Sequence, residues 1–371
     1  MRYVPHVNPF TEVRTSFILM HSESMGKSGK VKPTTKDLAR AAGVSLATVD
    51  RVLNDRPGVT YKTKTAVEEA IRQLRYERNH AAAALSRNRY LKFIFALPSA
   101  QGDFVMQLRK SVYEIDSNGF GSMMKYEILN IDETKPHEVA TALSQLSKND
   151  CDGLAIMAIE HPEIRDAITR LTERGVPVIS LVSFQSAATV SAFVGIPNVK
   201  AGQTAGQLML RFQNNTSGSI AAITTTISSN DSVERRRGAD LVFSTQSNFQ
   251  LLPTTEHFNN PHRADDIIRR LLKTKPDLCG IYILGSEARL PLEAINRYAA
   301  DRKLVVIAHE LTAFTKNQLA EGCVDAVISQ DTGHLVRSCV RRLKAMNEGT
   351  TPLSSQEQVR IEILIKENTY F

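Results

Sequence analysis

The residues whose types and spacing can do chemistry in this chain are cations and hydroxyls, not nucleophiles or metal ligands. Residues 31–90 hold 12 Lys/Arg against 6 Asp/Glu, a net of +6, while residues 1–30 carry +2 and residues 91–371 carry −1 of the total +7. A small basic module joined to a near-neutral remainder points to a polyanion as partner of the module alone. Further along, Arg235-Arg236-Arg237 sets three guanidinium groups in a row, and a guanidinium can span two hydroxyls or clamp a carboxylate or phosphate. Reaction chemistry has no comparable anchor. The four cysteines, Cys151, Cys279, Cys323 and Cys339, fall in no CxxC or zinc spacing and read as small core residues. Gly119-Phe120-Gly121 is followed by Ser, Met and Met and precedes a strand-like run, so it is not a dinucleotide loop. No GxxxxGK[ST], HExxH or GxSxG occurs. No enzymatic activity, cofactor or metal is therefore expected.

The elements that must position these side chains follow from pattern and length. A chain of 371 residues, 42% hydrophobic and 23% charged, holds more than one core. No run of about 18 apolar residues exists, so no membrane partner is expected, and the short run 17–20 is too brief for a secretory signal. The expected location is the cytoplasm. Residues 1–30 read as a flexible extension. Thr34-Thr35-Lys36-Asp37 is a Thr-x-x-Asp capping pattern opening a short helix that Gly43 ends. Ser45 caps a second helix, 45–54, with Val49, Val52 and Leu53 on its inner face and Leu46, Ala47, Asp50 and Arg51 on the other. Asp55-Arg56-Pro57-Gly58 breaks the chain, and Thr60 starts a third helix with Ala66, Val67, Ala70, Ile71 and Leu74 on one face. Three short helices, the first two joined by a tight glycine turn, make a helix-turn-helix bundle over 31–78.

The run TTKDLARAAGVSLATVDRVLNDRPGVTYKTKTAVEEAIRQLRYERNHAAAALSR, residues 34–87, resembles the DNA-binding headpiece of the LacI/GalR family essentially without gaps. The resemblance implies that the second helix enters the major groove with Leu46, Ala47 and Arg51 nearest the base edges. Arg51 can contact guanine bidentately, whereas Leu46 and Ala47 offer only apolar contact, for example to a thymine methyl. Thr34, Ser45, Thr48, Asn54, Thr60, Lys62 and Thr63 would hold phosphates, and each hydroxyl among them has a local cap as its other reading. Asp50 departs from the family pattern, since a carboxylate repels the backbone; it should face away or pair with Arg51. Residues 79–91, beginning at Asn79, match the family's hinge helix and linker. That helix is too short to hold alone, and Leu85 matches the leucine that wedges into the minor groove.

From residue 92 short apolar runs alternate with helical patterns, which implies parallel sheets with helices on both faces. The expected fold class is α/β, an all-α headpiece followed by two Rossmann-like subdomains. The family resemblance makes residues 92–371 an effector-binding and dimerisation domain of periplasmic-binding-protein type I. One lobe is expected over 92–212 plus 332–350 and the other over 218–330 plus 356–368. FVGIPNVKAGQTAG and AVISQD are its landmarks. Arg235 matches the family's effector-contacting arginine three residues before a glycine, here Gly238; its other reading is a solvated helix charge. Ser99, Phe104, Ser286, Glu287, His309, Glu310 and Asp331 are further candidate effector contacts at strand ends or interlobe crossings, each open to a capping role instead. Pro197 stands where sugar-binding relatives usually carry Asp, which weakens the case for a simple hexose.

The resemblance thus implies a homodimeric repressor that reads a near-palindromic double-stranded DNA operator under control of a sugar- or polyol-like effector. Co-repression is the opposite sign of the same device. A transport-type solute-binding protein would account for 91–371 but not for the headpiece, and an α/β enzyme lacks its motif.

Overall fold

The structure, a computed structural model, describes residues 33–53, 57–74, 76, 90–99, 102–117, 123–186 and 190–369. Asn54, the hinge segment with Asn79 and Leu85, and the extension 1–30 lie outside the described residues. The chain forms two compact units, one within residues 1–83 and one within 84–371.

The smaller unit contains α1 (Thr35–Ala42), α2 (Leu46–Leu53) and α3 (Tyr61–Leu74). Thr34 and Asp37 cap α1 reciprocally: the Asp37 N–H donates to the Thr34 hydroxyl at 3.4 Å and the Thr34 N–H to the Asp37 carboxylate at 2.9 Å. Gly43 then takes φ 65°, a left-handed turn that costs a residue without Cβ little. Leu38, Ala39, Val49, Val67 and Ala70 form the buried core, with Val44, Val52, Leu53, Ile71 and Tyr76 packed around it.

In the larger unit, β1 (Leu91–Pro98), α4 (Asp103–Ser117), β2 (Met124–Ile131), α5 (Pro136–Gln145), β3 (Gly153–Ile156), α6 (Pro162–Glu173), β4 (Val178–Leu181) and β5 (Ala192–Val194) build the first lobe. Its five strands are all parallel in the order β2-β1-β3-β4-β5. The second lobe contains α7 (Asn198–Phe212), β6 (Gly218–Thr224), α8 (Asn230–Phe243), β7 (Phe249–Glu256), α9 (Pro261–Thr274), β8 (Leu278–Ile283), α10 (Arg289–Tyr298), β9 (Val305–His309), α11 (Ala313–Glu321) and β10 (Ala326–Ser329). The chain then recrosses: α12 (Thr332–Glu348) packs on α4 and on the strands of the first lobe. After the short α13 (Ser354–Glu357), β11 (Glu362–Leu364) returns to pair antiparallel with β10. The second sheet runs β11-β10-β9-β8-β6-β7.

Helices α5, α6 and α9 each begin with a proline, whose missing N–H is harmless in a first turn. Along β1, Phe93, Phe95 and Leu97 face one buried cluster while Ile94 and Ala96 face another, so both faces of the sheet are covered. In both sheets strand order reverses beside the first strand, at β1/β3 and at β6/β8. Crevices outside the carboxyl ends of such strands are where ligands bind.

The expected boundary of the first lobe at 212 is corrected by α7, which packs against α8 in the second lobe. The reason is close approach of the two backbones. A Cβ on Gly202 would lie 1.9 Å from the Arg235 carbonyl oxygen, and one on Gly238 would lie 2.0 Å from that of Val199. Only a glycine at each position admits this packing.

Candidate functional site

Two sites are built, one in each unit. On α2, Val49 is turned into the headpiece core, and Val52 and Leu53 are half-buried beside it. The opposite face presents Leu46, Ala47, Asp50 and Arg51, all exposed. The side chain of Arg51 lies near the turn after α2, where a Cβ on Gly58 would sit 3.3 Å from one guanidinium nitrogen. The hydroxyl residues form caps at the helix starts. Ser45 accepts from the Thr48 N–H at 3.1 Å and meets the Thr48 hydroxyl at 2.8 Å; Thr60 accepts from the Thr63 N–H at 3.3 Å and meets its hydroxyl at 2.9 Å. These caps satisfy the Thr48 and Thr63 amides in the first turns of α2 and α3. Lys62 is exposed on the first turn of α3.

In the larger unit, a cavity of about 70 Å³ lies between the lobes, at the carboxyl ends of β1, β2, β3, β6 and β8. Its acidic wall is Glu133, just after β2; Asp231, in the first turn of α8; and Glu287, after β8. Thr225, Thr226, Ser229, Ser232, Ser286 and Asn259 add hydrogen-bonding groups, and Pro98, Val105, Met157 and Ile159 an apolar side. Burial, helped by the neighbouring Asp231, Asp132 and Glu287 charges, pushes the Glu133 carboxyl up to about 7. Burial and the adjacent Asp103 likewise push Glu287 up to about 7, although backbone N–H groups of Asp103, Phe104 and Val105 hold its ionised form.

Glu287 bridges the lobes, accepting from the Asp103 N–H at the start of α4 at 3.0 Å. Arg289 donates to the Asp103 carboxylate at 2.6 Å, Gln107 to the Leu311 carbonyl at 3.0 Å, and the Glu160 N–H to the Ser228 carbonyl at 3.1 Å. The lobes are closed upon one another.

Of the expected effector contacts, the structure brings Ser286 and Glu287 to the cavity. The others do not line it. Phe104 is buried in the core under α4, because the inward face of that helix also carries Val105, Leu108 and Val112. Arg235 does not line the cavity and is not a solvated charge. It is fully buried, donating to Asn198 at 2.9 Å, to the Leu284 carbonyl at 3.0 Å and to Glu310 at 3.0 Å, with Asp231 at 3.5 Å. Glu310 is equally buried, also accepts from Gln330 at 2.9 Å, and is the counter-ion of Arg235. His309 meets the Tyr282 hydroxyl at 2.8 Å, and burial beside Arg235 holds its pKa well below the ordinary histidine value. Asp331 caps α12 by accepting from the His334 N–H at 2.7 Å, and the Ser99 N–H extends the β1/β2 ladder by donating to the Ile131 carbonyl at 2.7 Å. Glu133, Asp231 and Asn259 went unselected in the sequence. Their signal was position alone, a polar residue within a few places of a strand's carboxyl end.

Comparison with known proteins adds to this geometry. Residues 93–351 match the family described as periplasmic binding protein domain, and residues 34–79 match the bacterial regulatory proteins of the lacI family. Catabolite control protein A of Priestia megaterium is 30% identical over 155 residues, 41% of this chain and 44% of that protein. The HTH-type transcriptional repressor PurR of Edwardsiella ictaluri is 28% identical over 213 residues, 55% of this chain and 58% of that protein. The chain thus spans about half the length of the curated relatives it matches. A solute-binding protein of Burkholderia graminis in complex with D-arabinose superimposes with TM-score 0.67 at 19% identity, covering 76% of this chain and 97% of that one. A crystal structure of a putative LacI transcriptional regulator from Bacteroides fragilis does so with TM-score 0.63 at 18% identity, covering 76% and 98%. These two likenesses establish the periplasmic-binding-protein type I fold of the larger unit.

Proposed function

We propose, for a chain that belongs to the lacI family of bacterial regulators through its headpiece and to the periplasmic binding proteins through its larger unit, that it is a sequence-specific DNA-binding transcription regulator controlled by a small hydroxylated effector. The carrying observation is the face of α2, where Leu46, Ala47 and Arg51 stand exposed on a helix locked from behind by Val49. A short helix of this kind fits a major groove, and Arg51 supplies the donor fork that guanine accepts. Thr34, Ser45, Thr48, Asn54, Thr60, Lys62 and Thr63 contact phosphates and fix register. Asn79 and Leu85 belong to the hinge that contacts the operator centre.

In this reading the protein is a cytoplasmic homodimer, a repressor of a near-palindromic operator, and turns over nothing. Among the described residues no helix is long and apolar enough to cross a membrane. The effector sits in the interlobe cavity and biases the closed arrangement, coupling to DNA affinity by about 1–3 kcal/mol.

Selection of bound duplexes from a random pool at moderate salt tests the reading. A palindromic consensus with two half-sites about one helical turn apart is expected. Binding without an enriched sequence, fading as salt rises, would reduce the headpiece to a general polyanion contact.

A further inference from the structure

The turn from β8 into α10 reaches across to the first lobe with two side chains, and both end on one residue. The Glu287 carboxylate accepts from the Asp103 N–H at 3.0 Å, while Arg289 donates to both oxygens of the Asp103 carboxylate, at 2.9 and 2.6 Å. Asp103 opens α4, and the first amides of a helix have no partner within it. A carboxylate is the group such amides favour, and this one comes from 184 positions away instead of from the local chain. The Phe104 and Val105 amides add to the hold on the ionised Glu287. Arg289 is braced in its own lobe, with its guanidinium 4.3 Å from the Phe314 ring centroid.

Gly102 makes room for this contact. A Cβ there would lie 2.0 Å from Glu287 Oε1 and 2.2 Å from its Cδ, so the carboxylate rests in the space that a side chain would fill. The cavity left by closure, about 70 Å³, is well below the roughly 300–1,000 Å³ of pockets that envelop a drug-sized ligand. The lobes therefore meet through the chain's own groups, and not around a large enclosed volume. At a separate contact on the same interface, the Glu160 N–H donates to the Ser228 carbonyl at 3.1 Å.

We propose that Gly102, Asp103, Glu287 and Arg289 form a clasp that holds the lobes of the larger unit closed without a bound effector. Closure is then the resting state, and a ligand of sugar size reaches the cavity only through the form in which Glu287 has left its seat on Gly102. The clasp concerns the larger unit alone; the route of entry rests on the effector reading above.

Residue-resolved hydrogen exchange of the full chain, with no added ligand, tests the clasp through two amides. The Asp103 N–H reports the clasp itself, and the Glu160 N–H reports lobe closure elsewhere. Both are expected to be protected in the wild type. Glu287→Ala and Gly102→Ala should each speed exchange at both by about tenfold or more, the order of one charge-assisted hydrogen bond, with the amides of β1 unchanged. Gly102→Ala is the more telling change, because its Cβ meets only the end of a flexible side chain. The two substitutions together should do no more than either alone, since each removes the same contact. A wild-type Asp103 amide that exchanges as fast as an unprotected one overturns the clasp. Faster exchange at Asp103 with Glu160 unchanged makes Glu287 a local cap and overturns its hold on the lobes. Additive effects of the two substitutions overturn the part given to Gly102. Should Glu287→Ala not fold, the wild type and Gly102→Ala still decide the matter. The regulator reading is tested separately, by DNA selection, and survives failure of the clasp.

Discussion

Arg235 and Glu310 meet at 3.0 Å with neither side chain exposed to solvent, and the backbone of Glu310 takes φ 67° to make the contact. A left-handed conformation in a residue with a Cβ persists only where its surroundings over-determine it. Here the surroundings are the guanidinium, the Gln330 amide, and the Ile328 carbonyl that accepts from the Glu310 N–H. The Gln330 side-chain oxygen in turn accepts from the Ile196 N–H at 3.1 Å. The pair thus ties α8, the end of β9, and the segments crossing between the lobes.

Removing one partner strands a buried charge, so Arg235→Ala should destabilise the larger unit by about 3–5 kcal/mol. Denaturant unfolding followed by circular dichroism measures this. An unchanged midpoint would show that the network contributes nothing, and Arg235 would have to be reconsidered as a ligand group.

Replacing Arg51 by alanine should weaken binding to the selected operator by about 1–3 kcal/mol while changing affinity for random duplex much less. Competition titrations at fixed salt give both values. Equal losses on the two DNAs would remove Arg51 from base reading and leave it a phosphate contact.

The raised Glu133 and Glu287 set the sign of a pH effect. Each carboxyl moves from 4.5 to about 7 in the folded protein, so between those values the folded state binds more protons than the unfolded state. Their contribution favours the fold at acid pH and is lost as pH rises from about 4.5 to 7. His257 acts oppositely, since burial lowers it to about 4, so the informative quantity is a difference. The stability of wild type minus that of the Glu133→Gln, Glu287→Gln protein should fall as pH rises across this window. A difference that is flat or rising contradicts the assignment.

Gly202→Ala should cost about 1–3 kcal/mol or more, because its Cβ would meet the Arg235 carbonyl oxygen at 1.9 Å and neither helix backbone can yield cheaply. Gly322→Ala, with open space around it but φ 76°, is the control at about 1 kcal/mol. Comparable melting temperatures for the two variants would mean that α7 and α8 can part without loss.

Much of this was legible before any coordinates. The Thr34/Asp37 cap, the Gly43 turn and the Val49-in, Arg51-out division of α2 follow from local chemistry acting within three or four residues, and the structure shows each. The alternation of strands and helices was equally local. What escaped was long-range. Sequence order put α7 beside β5, whereas the glycines at 202 and 238 put it beside α8. Arg235 and Glu310 were both singled out as ligand groups, yet each is the other's partner across 75 positions. Nothing periodic announces such a pair. Glu133 and Asp231 lie nearly a hundred residues apart and share a cavity only because two sheets present their carboxyl ends to one another.

The return of α12 to the first lobe has a consequence for biosynthesis. The strands of that lobe emerge from the ribosome early, but the helix that covers them leaves only after every strand of the second lobe except β11 has been made. At about 5–20 residues per second, the roughly 150 residues from the end of β5 to the end of α12 take about 8–30 seconds. Throughout that interval the face destined for Leu335, Cys339 and Leu343 stays uncovered, and the nascent chain is then most open to chaperone capture and to mispairing with a neighbouring copy.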